Sequence, residues 1–318
     1  MLGYYVHHLS PFIIEFGNGF GIRWYGMAYV LGFLAGYQLL LWFSKHGYSE
    51  LQPDKVGDFI FGTAFWGVLV GGRLGYILFY DFNEVLHDPV RLFRVWEGGM
   101  ASHGGILGII LYTYWYSRRH KVSWLGLGDD LVVAAPIGLF CGRIANFING
   151  ELYGRITTVP WAVQFPKEIL ENRALADRAS LEVATKIDPT LVDHYSIVEA
   201  AQTSEPVRQI LAGILNPRHP SQIYEALLEG VFLFVALWFL RTKVRPLEGV
   251  VTGMFFILYA ILRIIGEVFR EPDAGIALTW GLSRGQFLSI FMIAIGAFFI
   301  VLAKKRQRPS FHQTAMKS

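Results

Sequence analysis

The chain has 318 residues, of which 53% are hydrophobic, 15% aromatic and 17% charged, with a net charge of +3 and a mean hydropathy of +0.39. A soluble protein carries about 25% charged residues, so composition points to a polytopic membrane protein. The small positive charge sits in short loops and excludes nucleic acid as a partner. The single cysteine, Cys141, excludes an internal disulfide and a multi-cysteine metal site.

In chain order, the first twenty residues lack a basic n-region and a small-residue cleavage site, so the first span is expected to act as its own insertion signal. Seven apolar runs follow, at about residues 22–43, 59–79, 98–115, 131–147, 224–240, 250–268 and 286–303. Each is near the ~20 residues that cross a bilayer. The expected fold class is therefore an all-α polytopic membrane protein, one membrane domain over residues 1–318 with seven transmembrane helices. Pro136 is expected to kink the fourth helix, and the Gly67/Gly71/Gly75 spacing predicts close helix packing. Basic residues mark one side of the membrane: Lys45 and Lys55, then Arg118, Arg119 and Lys121, then Arg241, Lys243 and Arg245, then the tail from Lys304. The positive-inside rule makes that side cytoplasmic, with the N-terminus outside and the C-terminus inside. One outer loop, residues 158–219, is much longer than the rest and is expected to form a small extracytoplasmic head between helices 4 and 5. Short helices are expected there near Ile169–Ser180 and Thr203–Leu215.

The polar residues of the spans converge on the outer half of the membrane. Arg143 and Asn146 share a helix face at the end of span four, and Asn149, Glu151 and Arg155 follow where that helix stops. Tyr259, Arg263 and Glu267 recur every four residues along span six, with Arg270 three further on. His103 starts span three, Tyr25 starts span one, and His219 to Glu225 opens span five. Bland readings stand beside these. Arg263 and Glu267 also read as a structural ion pair, Tyr25 and Tyr259 as interfacial belt residues, His103 as a hydrogen-bonded core histidine, and Arg73 as a snorkelling or structurally paired arginine with no assigned role. Arg143, followed by Asn-Phe-Ile-Asn-Gly-Glu, has few structural excuses. Arginines with asparagine and tyrosine donors just below the outer surface make an anion trap, because guanidinium pairs bidentately with phosphate and stays charged. The anion available at that depth is a phospholipid headgroup. With no nucleophilic Ser or Cys motif, no metal-ligand spacing and no cofactor motif in view, the expected chemistry is displacement at a lipid phosphate ester by a second substrate.

The stretch GRIANFINGELYGRIT at Gly142–Thr157 resembles the signature of the prolipoprotein diacylglyceryl transferase family. The likeness extends to IRWYGMAYVLGF, GGMASHGGILG, HPSQIYE, and RIIGEVFREPD followed by SRGQ, in family order from about Arg23 to Gln286. It implies a seven-helix enzyme of the bacterial inner membrane. Such an enzyme transfers the diacylglyceryl group of phosphatidylglycerol to the lipobox cysteine of prolipoproteins, without a cofactor or metal, as the first step of lipoprotein maturation. By the same resemblance Arg143 corresponds to the phosphatidylglycerol-binding arginine. Asn146, Glu151 and Gly154 fall on the remaining functional positions of the signature, and Tyr25, His103, Tyr259, Arg263 and Glu267 on those of the other blocks. Catalytic roles are expected for His103, Arg143, Arg263, Glu267, Tyr25 and Glu151, and lipid binding for Arg143, Asn146, Gly154 and Tyr259. The general base is left open between His103, Glu151 and Glu267. The head between Lys167 and Asn216 matches nothing in the family pattern. A transporter or flippase would need a polar path through the inner halves of the spans, and Tyr29–Phe43 and Leu288–Ala303 are almost uncharged. A non-catalytic lipid-binding scaffold would need no base beside the arginines.

Overall fold

The apolar runs become helices. The computed structural model describes residues 3–17, 20–94, 98–271 and 284–311. Among these, six helical stretches are long and apolar enough to cross a membrane: Trp24–Lys45, Pro53–His87, Trp124–Ile148, Ser221–Val244, Val250–Glu267 and Gly285–Arg306. The third expected span also folds, as the helix Ser102–His120. Its Ser-His-Gly-Gly start and Ser-Arg-Arg-His end dilute its apolar content, and it is not among those six. The multi-pass helical architecture is thus present, with six qualifying spans.

The chain folds as two compact units, one of Met1–Gly32, Pro136–Leu233 and Ile257–Ala294, the other of Phe33–Ala135, Phe234–Phe256 and Ile295–Ser318. In the second unit, Gly67, Gly71 and Gly75 lie against the Ser102–His120 helix. A Cβ at Gly71 would come within 2.8 Å of the Gly104 carbonyl oxygen and 2.9 Å of the Gly108 Cα, so only glycines allow this approach. The start of the Trp124–Ile148 helix is pinned by buried charge. Asp129 accepts from the backbone N–H groups of Gly249 and Thr252 and from the Thr252 hydroxyl, and Asp130 takes the Arg241 guanidinium at 2.6 Å. Pro136 sits inside that helix, which runs on to Ile148.

The first unit contains two small sheets that an all-α expectation did not include. β1 (Tyr5–Val6) runs parallel to β4 (Val163–Gln164), and β2 (Phe12–Gly17) pairs antiparallel with β3 (Phe20–Arg23). The long loop folds as four helices, Glu168–Glu171, Arg173–Lys186, His194–Thr203 and Glu205–Ala212. Ala176, Ala179 and Val183, Ile197 and Ala201, and Val207 and Leu211 recur at three- and four-residue spacing, and each set turns inward to one shared core. Asn172 and Asp193 cap two of the helices by accepting from backbone N–H groups of the first turn. The two expected surface helices fall within this cluster, shifted and divided.

Candidate functional site

The signature stretch folds as a knot at the end of the Trp124–Ile148 helix. Gly150 and Leu152 take left-handed backbone angles, φ +65° and +58°, which turn the chain back under the helix. Asn146 donates from its side-chain amide to the Glu151 carboxylate at 2.9 Å, and Asn149 donates to the same oxygen at 3.4 Å. The Gln222 amide donates to the Glu151 carbonyl at 2.6 Å and the Ser221 hydroxyl to the Leu152 carbonyl at 3.0 Å. HPSQIYE therefore serves in part as the clasp of the signature. Gly154 is the tightest point. Its N–H donates to the His219 carbonyl at 2.9 Å, and it forms an antiparallel bridge with Arg270. A Cβ there would run into the Phe269 carbonyl and come within 2.7 Å of the His219 carbonyl, so the backbone contact requires glycine. Arg218 ties the knot to the helices of the long loop, reaching the Gly154 carbonyl at 3.1 Å and Glu168 at 2.6 Å, with its guanidinium 4.8 Å over the Tyr153 ring.

His7 packs beneath this knot. It is buried among Phe147 and Phe165, and a Cβ on Gly150 would meet its Nδ1 at 3.1 Å. Burial lowers its imidazole from 6.5 to about 4, offset in part by a hydrogen bond with the Phe147 backbone, while His8 and Lys167 push it down slightly further. The unfolded chain thus takes the proton near 6.5 and the folded chain only near 4, so stability is lost as pH falls through that window. Between pH 7 and 5 the cost is about 2 kcal/mol. His7→Phe is expected to remove this component, seen as a smaller drop in Tm between pH 7 and 5 than in the parent protein.

The centre of the site is an ionic cluster in the first unit. Glu225 and Glu229, one turn apart on the Ser221–Val244 helix, are fully buried. Arg143 places Nη1 2.8 Å from Glu225 and Nη2 3.0 Å from Glu229. Arg263 places Nη1 2.9 Å from Glu225 and 3.3 Å from Glu229, and Nη2 2.9 Å from Glu267. Arg270 approaches Glu225 at 3.9 Å, and Tyr259 interacts with the charges of Glu229, Arg263, Arg143 and Glu225. Among the described side chains, three guanidiniums thus face three carboxylates. The glutamates are 0–10% exposed, whereas Arg143 and Arg263 keep 14% and 13%. Wide π-type turns over Ala226–Phe232 carry Glu229. Gly230 faces Phe140, where a Cβ would come within 2.6 Å of the Phe140 Cβ, so the helix bearing the glutamates lies directly on the helix bearing Arg143.

The structure therefore brings together Arg143, Tyr259, Arg263 and Glu267, and separately Asn146 with Glu151. Tyr25 is exposed, with its ring 5.8 Å from Tyr29. His103 belongs to the other unit, exposed at the start of the Ser102–His120 helix, its ring edge-on to Phe79 at 4.9 Å and Tyr80 at 5.8 Å. The imidazole makes no hydrogen bond to any described residue.

The sequence matches the family described as prolipoprotein diacylglyceryl transferase over residues 11–302. The chain belongs to the prolipoprotein diacylglyceryl transferase family. Among curated relatives, the phosphatidylglycerol–prolipoprotein diacylglyceryl transferase of Photorhabdus laumondii is 42% identical over 301 residues, 94% of this chain and 94% of that protein. Those of Coxiella burnetii (strain RSA 331) and Zymomonas mobilis are each 39% identical, covering 92% and 94% of this chain and 95% and 92% of theirs. For a diacylglyceryl transferase family member, Glu229 is the part of the site that the sequence does not single out, and Glu225 is visible there only as the last residue of the segment that opens span five. Two glutamates four residues apart inside an otherwise apolar span were the available signal.

Proposed function

We propose that the chain transfers the diacylglyceryl group of phosphatidylglycerol to the thiol of the lipobox cysteine in prolipoproteins, forming a thioether and releasing glycerol 1-phosphate. The observation that carries the reading is the pairing of Arg143 and Arg263 through two fully buried glutamates, with each arginine side chain still partly exposed. Arg143 and Arg263 hold the lipid phosphate and stabilise the charge that gathers on it as the C–O bond breaks. Tyr259 adds a hydroxyl beside them, while Asn146, Glu151 and Gly154 hold the signature in shape for the lipid. Tyr25, exposed at the start of the first span, keeps its place in the proposed catalytic set. A cysteine thiol is only a few per cent thiolate at neutral pH, so a base is needed. Glu151 and Glu267 are engaged with Asn146, Asn149 and Arg263, which supports His103 as the base. The Ser102–His120 helix is proposed as a seventh span, in a bacterial inner membrane, with the N-terminus and the 158–219 head periplasmic and the C-terminus cytoplasmic.

Incubation of the purified protein with phosphatidylglycerol and a lipobox-cysteine peptide is expected to give a peptide heavier by one diacylglyceryl group, located by mass spectrometry on the cysteine sulfur. Folded protein that binds phosphatidylglycerol and leaves the peptide unmodified would overturn the transferase reading in favour of a lipid carrier.

A further inference from the structure

Arg73 has the character of a residue with a task. It is 5% exposed and lies in the apolar Pro53–His87 stretch, where an unpaired charge is costly. Snorkelling does not account for it, because its head group is turned inward onto backbone. Nε donates to the Leu92 carbonyl at 3.2 Å, Nη1 to those of Gly98 and Gly99 at 2.6 and 3.1 Å, and Nη2 to those of Arg91 and Arg94. A guanidinium has five N–H donors, and all five are taken by these main-chain carbonyls. No donor is left for a phosphate, so Arg73 is not a lipid-binding arginine.

Two of the acceptors are built to receive it. Gly98 and Gly99 have φ of +87° and +80°, a region other residues rarely adopt, and this conformation aims two successive carbonyls at Nη1. The next ties lead straight to His103. The Ala101 N–H donates to the Gly72 carbonyl at 3.0 Å, next to Arg73 in the chain, and the Ser102–His120 helix begins one residue later. Phe79 and Tyr80, from the same helical stretch as Arg73, flank the imidazole.

We infer that Arg73 is a positioning residue for diacylglyceryl transfer: through its five carbonyl bonds it fixes the backbone that presents His103. The inference rests on the reading of His103 as the base. Lysine cannot substitute, since it offers three donors around a point charge instead of a planar fork of five.

The test compares kcat and KM of the detergent-solubilised protein with phosphatidylglycerol and a lipobox-cysteine peptide. Arg73→Lys is expected to lower kcat at least tenfold and leave the KM for phosphatidylglycerol within twofold, because Arg143 and Arg263 are untouched. Gly98→Ala, where a Cβ meets nothing within 4 Å, is expected to act in the same direction through backbone strain alone, and it carries the comparison if Arg73→Lys fails to fold. In a His103→Gln background neither change should cost more than twofold. Wild-type kcat in both Arg73→Lys and Gly98→Ala, or a raised KM with unchanged kcat, would overturn the inference. So would an equal loss with and without His103, and that result leaves the base assignment standing. A His103→Gln protein with full activity overturns the base assignment itself, and the route proposed for Arg73 with it.

Discussion

Arg143→Ala and Arg263→Ala are each expected to lower turnover of phosphatidylglycerol by about 10²–10³-fold, equivalent to ~3–4 kcal/mol of lost charge stabilisation. The phosphate gains charge as its ester bond to the diacylglyceryl carbon breaks, and fixed donors in a water-poor site are worth most at that moment. The geometry explains why these two arginines are suited to it. Both are oriented by carboxylates, with Arg143 held by Glu225 and Glu229 and Arg263 by those two and Glu267. Glu225 and Glu229 are fully buried, while the Arg143 and Arg263 side chains stay partly exposed. Under the proposed function, the phosphate would meet donors that are already aimed. A lysine at either position keeps the charge but loses the fork, so Arg143→Lys is expected to retain part of the activity that Arg143→Ala loses. Steady-state kinetics with a lipobox peptide checks the prediction. If both alanine variants kept near-normal turnover, electrostatic stabilisation by this pair would have to be abandoned.

How far the sequence carried the reading depends on what kind of signal each feature leaves. Span lengths were legible because a run of apolar residues needs no knowledge of its partners. Span ends were less so. The fourth helix begins at Trp124, seven residues before the apolar run at Leu131, because Asp129 and Asp130 look like loop residues until Thr252, Gly249 and Arg241 are seen to satisfy them. β1 was invisible for a similar reason: its two residues become a strand only by pairing with Val163–Gln164, far along the chain. The positively charged half of the site could be read from Arg143 and the Tyr259–Arg263–Glu267 stripe, since arginine in a span is conspicuous. The negatively charged half was harder, because Glu225 and Glu229 sit on a different helix and their meaning comes from which arginines they meet. Arg73 had no sequence partner at all, since its acceptors are carbonyls.

The carboxylate half makes the sharper prediction, because it separates stability from activity. Glu229→Ala is expected to destabilise the protein by about 3–5 kcal/mol, the usual cost of stranding a buried charge. Glu229 is fully buried and touches both Arg143 and Arg263, so its loss leaves two guanidiniums competing for Glu225 and Glu267 alone. Replacing the opposing charges together is a different matter. Arg143→Met with Glu229→Leu removes one charge of each sign and fills the space with apolar side chains, and such exchanges are often neutral or stabilising. The double variant is therefore expected to recover most of the Tm lost in Glu229→Ala while staying as inactive as Arg143→Ala, because the phosphate donor is gone. Thermal unfolding followed in parallel with turnover distinguishes the cases. If Glu229→Ala were as stable as the parent, the buried pairs would be redundant and the cluster's rigidity would have to come from elsewhere. If the double variant regained turnover along with stability, Arg143 would be a structural residue and the phosphate site would lie on Arg263 alone.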